Sequence, residues 1–308
     1  MNNTIYLDSQ VSDNDRRAQL YDGQLFVFSP RKSILDLVDF ARSMVEDAFG
    51  GLDPRTAQDR MEVEAYADLL GNLKPAFIHH PESKRYLQAI LDDLGCDRDK
   101  TYFDVPRMRS STSSGYLTTG IAYAWHAHRD TWYSAPPCQI NWWLPIYELD
   151  SDNAMAFHPR YWREPVANSS AGYNYYEWNQ VHRGEHVAKL TTSDPRPLPK
   201  PTEPVEMTPQ IRLVPPVGGI IVFSGAQLHS SVPNTSGVTR YSIDFRTVNL
   251  DDAAEGRGAP NVDAACTGTT MRDYLRATDF APIPEEIVRI HDDGTAGRGK
   301  AVYRPTGT

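Results

Sequence analysis

A mostly β protein with flanking helices, a jelly-roll core preceded by an N-terminal helical segment, is the fold class this sequence predicts. Two observations carry that expectation. Residues 1–100 show apolar positions at helical spacing, and from Thr101 onward short β-branched and aromatic runs alternate with Pro, Gly, Asn and Asp. Many short strands without alternating helices favour an antiparallel sandwich or a double-stranded helix of jelly-roll type, with helices packed on one outer face.

In the first hundred residues, Ser33 is the expected N-cap of a helix over Ile34–Phe49, whose Ile34, Leu37, Val38, Ala41, Val45 and Ala48 keep a 3.6-residue period. Gly50-Gly51 stops it. A second helix is expected from about Pro54 to Leu70, ending at Gly71, and a third from Glu82 to Leu94 with Gly95 beyond. Strands are expected at Tyr102–Val105, Gly120–Trp125, Gln139–Ile146, Ala154–Phe157, Ile211–Val214, Ile220–Phe223 and Tyr241–Val248, with Val105–Arg109 also extended. A long interruption, Tyr161–Gln210, holds Tyr173, Tyr175, Tyr176 and Trp178 and then a proline-rich stretch. Loops of this length in compact folds are usually lids or binding loops. The tail after His291 reads as flexible. The whole is expected to be one domain: a helical part over 1–100, a core over 101–250 interrupted by 161–210, and an extension over 251–308.

A net charge of −9 argues against broad binding to nucleic acid or to an anionic membrane face. The start lacks the basic and apolar regions of a secretion signal, and no run of eighteen apolar residues occurs. Cys96, Cys138 and Cys266 are odd in number and far apart, so reduced thiols are expected rather than a disulfide framework or a zinc site. These features point to the cytoplasm, with at most peripheral contact at the inner face of its membrane.

The chemistry concentrates in Trp125-His-Ala-His-Arg-Asp130. In a strand, alternate side chains share a face, so His126, His128 and Asp130 would point the same way. An imidazole and a carboxylate two residues apart can fill two facial positions of an octahedral metal. A distant second imidazole completes a 2-His-1-carboxylate triad with open positions, an arrangement suited to Fe(II). His229, after the apolar run Ile220–Phe223, is the expected third ligand. Eleven residues later stands Arg240, then Ser242 on the same strand face. A guanidinium there can hold a carboxylate through two charge-assisted hydrogen bonds.

His128-x-Asp130, His229 and Arg240-x-Ser242 at this spacing resemble the phytanoyl-CoA-dioxygenase-like branch of the Fe(II)/2-oxoglutarate oxygenases, over roughly Tyr102 to Asn249. Asn153–Pro159 and His229-Ser-Ser-Val-Pro-Asn234 are similar to further segments of that family. The resemblance implies a double-stranded β-helix, iron on His128, Asp130 and His229, and Arg240 gripping the C5 carboxylate of 2-oxoglutarate. It further implies hydroxylation of a C–H bond with O₂, since related halogenases lack the carboxylate ligand. Arg109, ahead of His-Arg-Asp-Thr-Trp-Tyr and Asn-Trp-Trp-Leu-Pro, is similarly placed to an arginine that helps bind 2-oxoglutarate in the Kdo (3-deoxy-D-manno-octulosonic acid) hydroxylases. That resemblance implies a lipid-linked sugar of lipopolysaccharide as substrate.

Three other readings stand beside this one: a hydroxylase of another small metabolite, a non-catalytic β-sandwich sugar-binding protein whose metal site is structural or degenerate, and a mononuclear cupin-type enzyme without a keto-acid cosubstrate, which would not need Arg240. His126 is expected to lie behind the ligands or face substrate. His182 and His186 have helical ligand spacing, but Gly184 between them argues against a helix. Of the adjacent Trp142 and Trp143, one is expected in the core and the other on the cofactor pocket. Arg160, Arg163, Arg183 and Lys189 are the candidates for a basic patch, diluted by Glu164, Glu177 and Glu185.

Overall fold

In the computed structural model, which describes residues 4–122, 126–182, 196–292 and 294, the chain builds a jelly-roll core covered on one side by helices. The first part runs β1 (Ile5–Leu7), α1 (Asp13–Tyr21), β2 (Leu25–Phe28), α2 (Lys32–Phe49), α3 (Val63–His79) and α4 (Pro81–Asp93). The core strands are β3 (Thr101–Phe103), β4 (Arg107–Ser111), β5 (Ile140–Pro145) and β6 (Met155–Phe157). After a short α5 (Tyr175–Glu177) come β7 (Ile211–Leu213), β8 (Ile220–Ser224), β9 (His229–Ser231) and β10 (Arg240–Asn249). The extension adds α6 (Leu250–Ala254), β11 (Leu275–Arg276) and α7 (Glu285–Val288).

The large sheet has the order β1-β2-β8-β5-β10-β3-β11, and β4 pairs the other half of the β10 edge beside β3. A second sheet, β7-β6-β9, faces it. The central strands are buried on both sides, which is why they read as continuous apolar runs. Trp142, Leu144, Ile220, Val222, Tyr241, Ile243 and Phe245 point outward into the main core under α2, α3 and α4. Their alternates Trp143, Ile221 and Phe223 point inward, against Met155 and Phe157 of the second sheet. On β10 the inward residues are instead Arg240, Ser242, Asp244 and Arg246, so one wall of the chamber between the sheets is charged.

Several expectations are corrected here. Ser33 does not cap α2, which begins at Lys32 after an uncapped Arg31; the Ser33 hydroxyl is drawn instead to Asp93 of α4 at 2.5 Å. The C-terminus is as expected, with Gly50 in the left-handed region at φ 58. Residues 54–62 form only a 3₁₀ turn at Ala57–Asp59, and the helix proper runs through Gly71 and Pro75 to His79. The two breakers offset each other. Proline cannot donate to the carbonyl four residues back, and here that residue is Gly71, which has no side chain to crowd the disturbed turn. Burial of Tyr66, Leu70, Leu73 and Phe77 on one face outweighs both penalties. The first hundred residues are also not purely helical, because β1 and β2 extend the large sheet in parallel. The tail after His291, expected to be flexible, lies mostly outside the described residues.

Candidate metal centre

His128 and His229 are locked together by the backbone before their side chains matter. Each donates its N–H to the other's carbonyl at 3.0 Å, a two-way antiparallel bridge that sets their rings 4.3 Å apart. Asp130 opens the 3₁₀ turn Asp130–Tyr133, and its N–H donates to the Gly225 carbonyl at 2.8 Å. A side chain at Gly225 would stand 3.1 Å from Gln139 Nε2, so glycine lets the two chains close at this point.

The HxD segment is therefore not the strand the sequence predicts. Residues 120–122 form a turn and bend, Tyr123–Trp125 lie outside the described residues, and His128 makes a single bridge. What holds the segment in place of a ladder is the buried Arg129 guanidinium, which donates to the carbonyls of Ala226, Tyr161 and Glu164 and pairs with Asp263. His128 and Asp130 still converge. His126 does not join them: its Nε2 lies 3.0 Å from the Pro199 carbonyl, and its own carbonyl is 2.8 Å from His128 Nδ1.

Whether these groups suit a metal ion can be read from their protons. His128 Nδ1 and His229 Nδ1 face the carbonyls of His126 and Gln227, which can only accept. Each Nδ1 therefore carries the proton, and each Nε2 keeps its lone pair. Those Nε2 atoms stand 3.6 and 4.0 Å from Asp130 Oδ1, and the three ligand atoms all lie within 4.8 Å of one another. Burial and the neighbouring His128 push His229 down to about 3, so it is a neutral base at physiological pH. Burial alone would raise the Asp130 carboxyl, but Arg246 and the two imidazoles outweigh it and hold the group well below the usual carboxylate range. Two imidazoles with Nε2 turned toward Asp130 Oδ1 and one carboxylate, all buried, fit a divalent ion.

The triad opens on a cavity of about 500 Å³ between the sheets. On one wall, Arg240 is fully buried; it donates to the Asn153 carbonyl and to Ser231 Oγ, both at 3.1 Å, and lies over the Trp143 ring. Among the described residues, Arg240 Nε and Ser242 Oγ have no hydrogen-bond partner. Burial lowers the Arg240 guanidinium to about 10, so it remains charged. A buried cation with an unspent donor beside an unspent hydroxyl suits a carboxylate. Arg109 is held by Asp244, through Nε at 2.6 Å and a second nitrogen at 3.3 Å. Trp142 is in the outer core, stacked on Phe245, while Trp143 faces the chamber, as the alternation predicts.

The other wall is aromatic. Tyr133 packs on His128, with ring centroids 5.6 Å apart, and Tyr173 and Trp178 continue the surface. Tyr175, Arg196 and Leu198 line the same cavity, so parts of the 161–210 segment reach the chamber that holds the triad. His182 ends a short wide-turn helix; His186, Arg183, Lys189 and Glu185 lie outside the described residues. Of the remaining basic-patch candidates, Arg160 pairs with Glu164 and Glu206, and Arg163 with Asp22.

Sequence reasoning missed the groups around Asp130. Gln139 Nε2 and Asn141 Nδ2 donate to its Oδ2 at 2.8 and 2.9 Å, and Arg246 Nε lies 3.4 Å away. Part of a signal was present: Gln139, just ahead of β5, and Asn141 on it are two residues apart, and Arg246 shares the inward period of Arg240. Lys74 of α3, buried and donating to the Ile121 carbonyl, was also missed because it interrupts no pattern.

No family model matches the chain, and no curated protein matches it. Among solved structures, EvdO2 from Micromonospora carbonacea var. aurantiaca is similar at 12% identity and TM-score 0.43, covering 79% of this chain and 93% of its own. The non-heme alpha-ketoglutarate-dependent carbocyclase SnoK from nogalamycin biosynthesis is 12% identical at TM-score 0.38, covering 78% and 85%. The non-heme monooxygenase ThoJ is 13% identical at TM-score 0.34, covering 71% and 70%. What can be said of this chain's chemistry comes from its own site.

Proposed function

We propose that the protein is an Fe(II)- and 2-oxoglutarate-dependent dioxygenase that hydroxylates a C–H bond of a small molecule. The observation that carries this reading is the pairing, in one chamber, of a facial His128-Asp130-His229 triad with a buried Arg240 whose Nε is unspent. A metalloenzyme without a keto-acid cosubstrate has no use for that second feature. Iron in the triad would supply oxygen activation coupled to oxidative decarboxylation of the keto acid to succinate and CO₂.

The chain's own residues would do the rest. Arg240 and Ser242 bind and orient the distal carboxylate, with Trp143 shielding the pair from water. Asp244 holds Arg109 on the same wall, beside the proposed cosubstrate position. Tyr133, Tyr173 and Trp178 exclude water from the triad and give a substrate ring a flat surface. Such a surface suits the apolar face of a sugar, including a lipid-linked sugar such as Kdo, and equally another cyclic metabolite.

The test is succinate release by purified protein supplied with Fe(II), 2-oxoglutarate and O₂, across a panel of sugars, sugar acids and cyclic metabolites. Metal-dependent succinate release stimulated by one panel member supports the reading. No release with any of them, from protein that binds metal, points to the sugar-binding alternative.

A further inference from the structure

We infer that Gln139, Asn141 and Tyr274 form a positioning relay that commits Asp130 to binding a metal through one oxygen only. The relay rests on the metal-binding reading of the triad and on nothing about turnover. It starts in the C-terminal extension, outside the stretch that carries the sequence motifs. The buried Tyr274 hydroxyl donates to Gln139 Oε1 at 2.7 Å, which fixes which way the Gln139 amide faces. Gln139 Nε2 is then aimed at Asp130 Oδ2, at 2.8 Å, and also at Asn141 Oδ1, at 2.8 Å. Receiving that bond fixes the Asn141 amide in turn, and its Nδ2 donates to the same Asp130 Oδ2 at 2.9 Å.

The outcome is asymmetric. Asp130 Oδ2 faces two amide donors and the Arg246 guanidinium, enough to occupy its lone pairs, while Oδ1 is the oxygen turned to His128 and His229. A carboxylate free to rotate can chelate an ion with both oxygens and so consume a further coordination position. Held this way it gives one, leaving three positions of an octahedral ion for other ligands. The close approach depends on Gly225, whose carbonyl takes the Asp130 N–H and whose N–H donates to the Gln139 carbonyl. All three relay residues are at least 95% buried, so water does not compete for these bonds.

The test uses Co(II), whose visible absorption reports coordination number, titrated into the metal-free full chain. Gln139→Leu and Asn141→Leu should each weaken Co(II) binding by about 10- to 100-fold and change the absorption envelope. Tyr274→Phe removes only the hydroxyl and should move both readouts the same way by a smaller factor. Thermal unfolding of each variant identifies those that fold; Gln139→Met replaces Gln139→Leu if the latter does not. Unchanged affinity and an unchanged spectrum in folded Gln139 and Asn141 variants would overturn the proposal. A Tyr274→Phe protein identical to wild type in both would remove Tyr274 from the relay and overturn it in the form stated. Wild-type Co(II) binding without any succinate release would count against the proposed activity and leave the relay intact.

Discussion

Lys74 and Asp130 show how differently burial treats two charges in one chamber. Asp130 is surrounded by donors and a cation, and its charge is stabilised; Lys74 has a backbone carbonyl and lies near Arg109, and burial lowers it to about 7. An unfolded lysine titrates near 10.5, so between pH 7 and that value the unfolded chain binds the proton that the folded chain has released. Stability contributed through Lys74 therefore rises with pH across this window, by at most about 1.4 kcal/mol per pH unit. Denaturant unfolding from pH 7 to 10 should show a rise in wild type that is absent in Lys74→Met, and the variant should be the more stable protein at pH 7. Equal slopes would mean that Lys74 is solvated. At the triad, Asp130→Ala should abolish metal-dependent succinate release and also lower the unfolding midpoint, because Gln139, Asn141 and Arg246 lose a buried acceptor. Arg246 would keep the chamber charged in that variant, and full turnover would take Asp130 out of the site.

At the scale of elements, what was legible followed periodicity, and what was not followed contacts between distant segments. The runs at β5 and β8 read correctly because burial on both faces leaves a largely apolar stretch, and β10 because its apolar outward residues alternate with polar inward ones. The ligands His128, Asp130 and His229 were legible as residue types at a spacing, yet the strand invoked to align them is absent; a backbone bridge, a 3₁₀ turn and Arg129 do that work. The helix through Gly71 and Pro75 was misread because local breakers were weighed without the buried face they serve. Gln139 and Asn141 share a two-residue spacing in the sequence, but nothing in that spacing tied them to Asp130 until the fold placed it beside them. The segment from Tyr161 to Gln210 was expected to be a lid or binding loop, and Tyr173, Tyr175, Trp178, Arg196 and Leu198 from it line the cavity. Trp178→Ala and Tyr173→Ala should therefore reduce substrate-stimulated succinate release more than they weaken 2-oxoglutarate binding. An equal loss in both measurements would place these rings on the cosubstrate side, and no loss in either would make them packing for the outer wall.

On the scale of the whole molecule, three layers divide the labour. The helices bury the outer face of the large sheet; the two sheets enclose the chamber; and the extension reaches Gln139, beside the triad, through Tyr274. Among the described residues no helix is long and apolar enough to cross a membrane. Because the chamber pairs the His128-Asp130-His229 cluster with the buried Arg240, the proposed occupant can be tested without knowing the substrate. The direct measurement is calorimetric titration of 2-oxoglutarate into protein loaded with Mn(II), in wild type and in Arg240→Ala. One equivalent should bind, only when metal is present, and the variant should lose about 2–5 kcal/mol of binding, the cost of breaking a buried charge pair. Binding that ignores the metal, or an Arg240→Ala protein with wild-type affinity, would contradict the account.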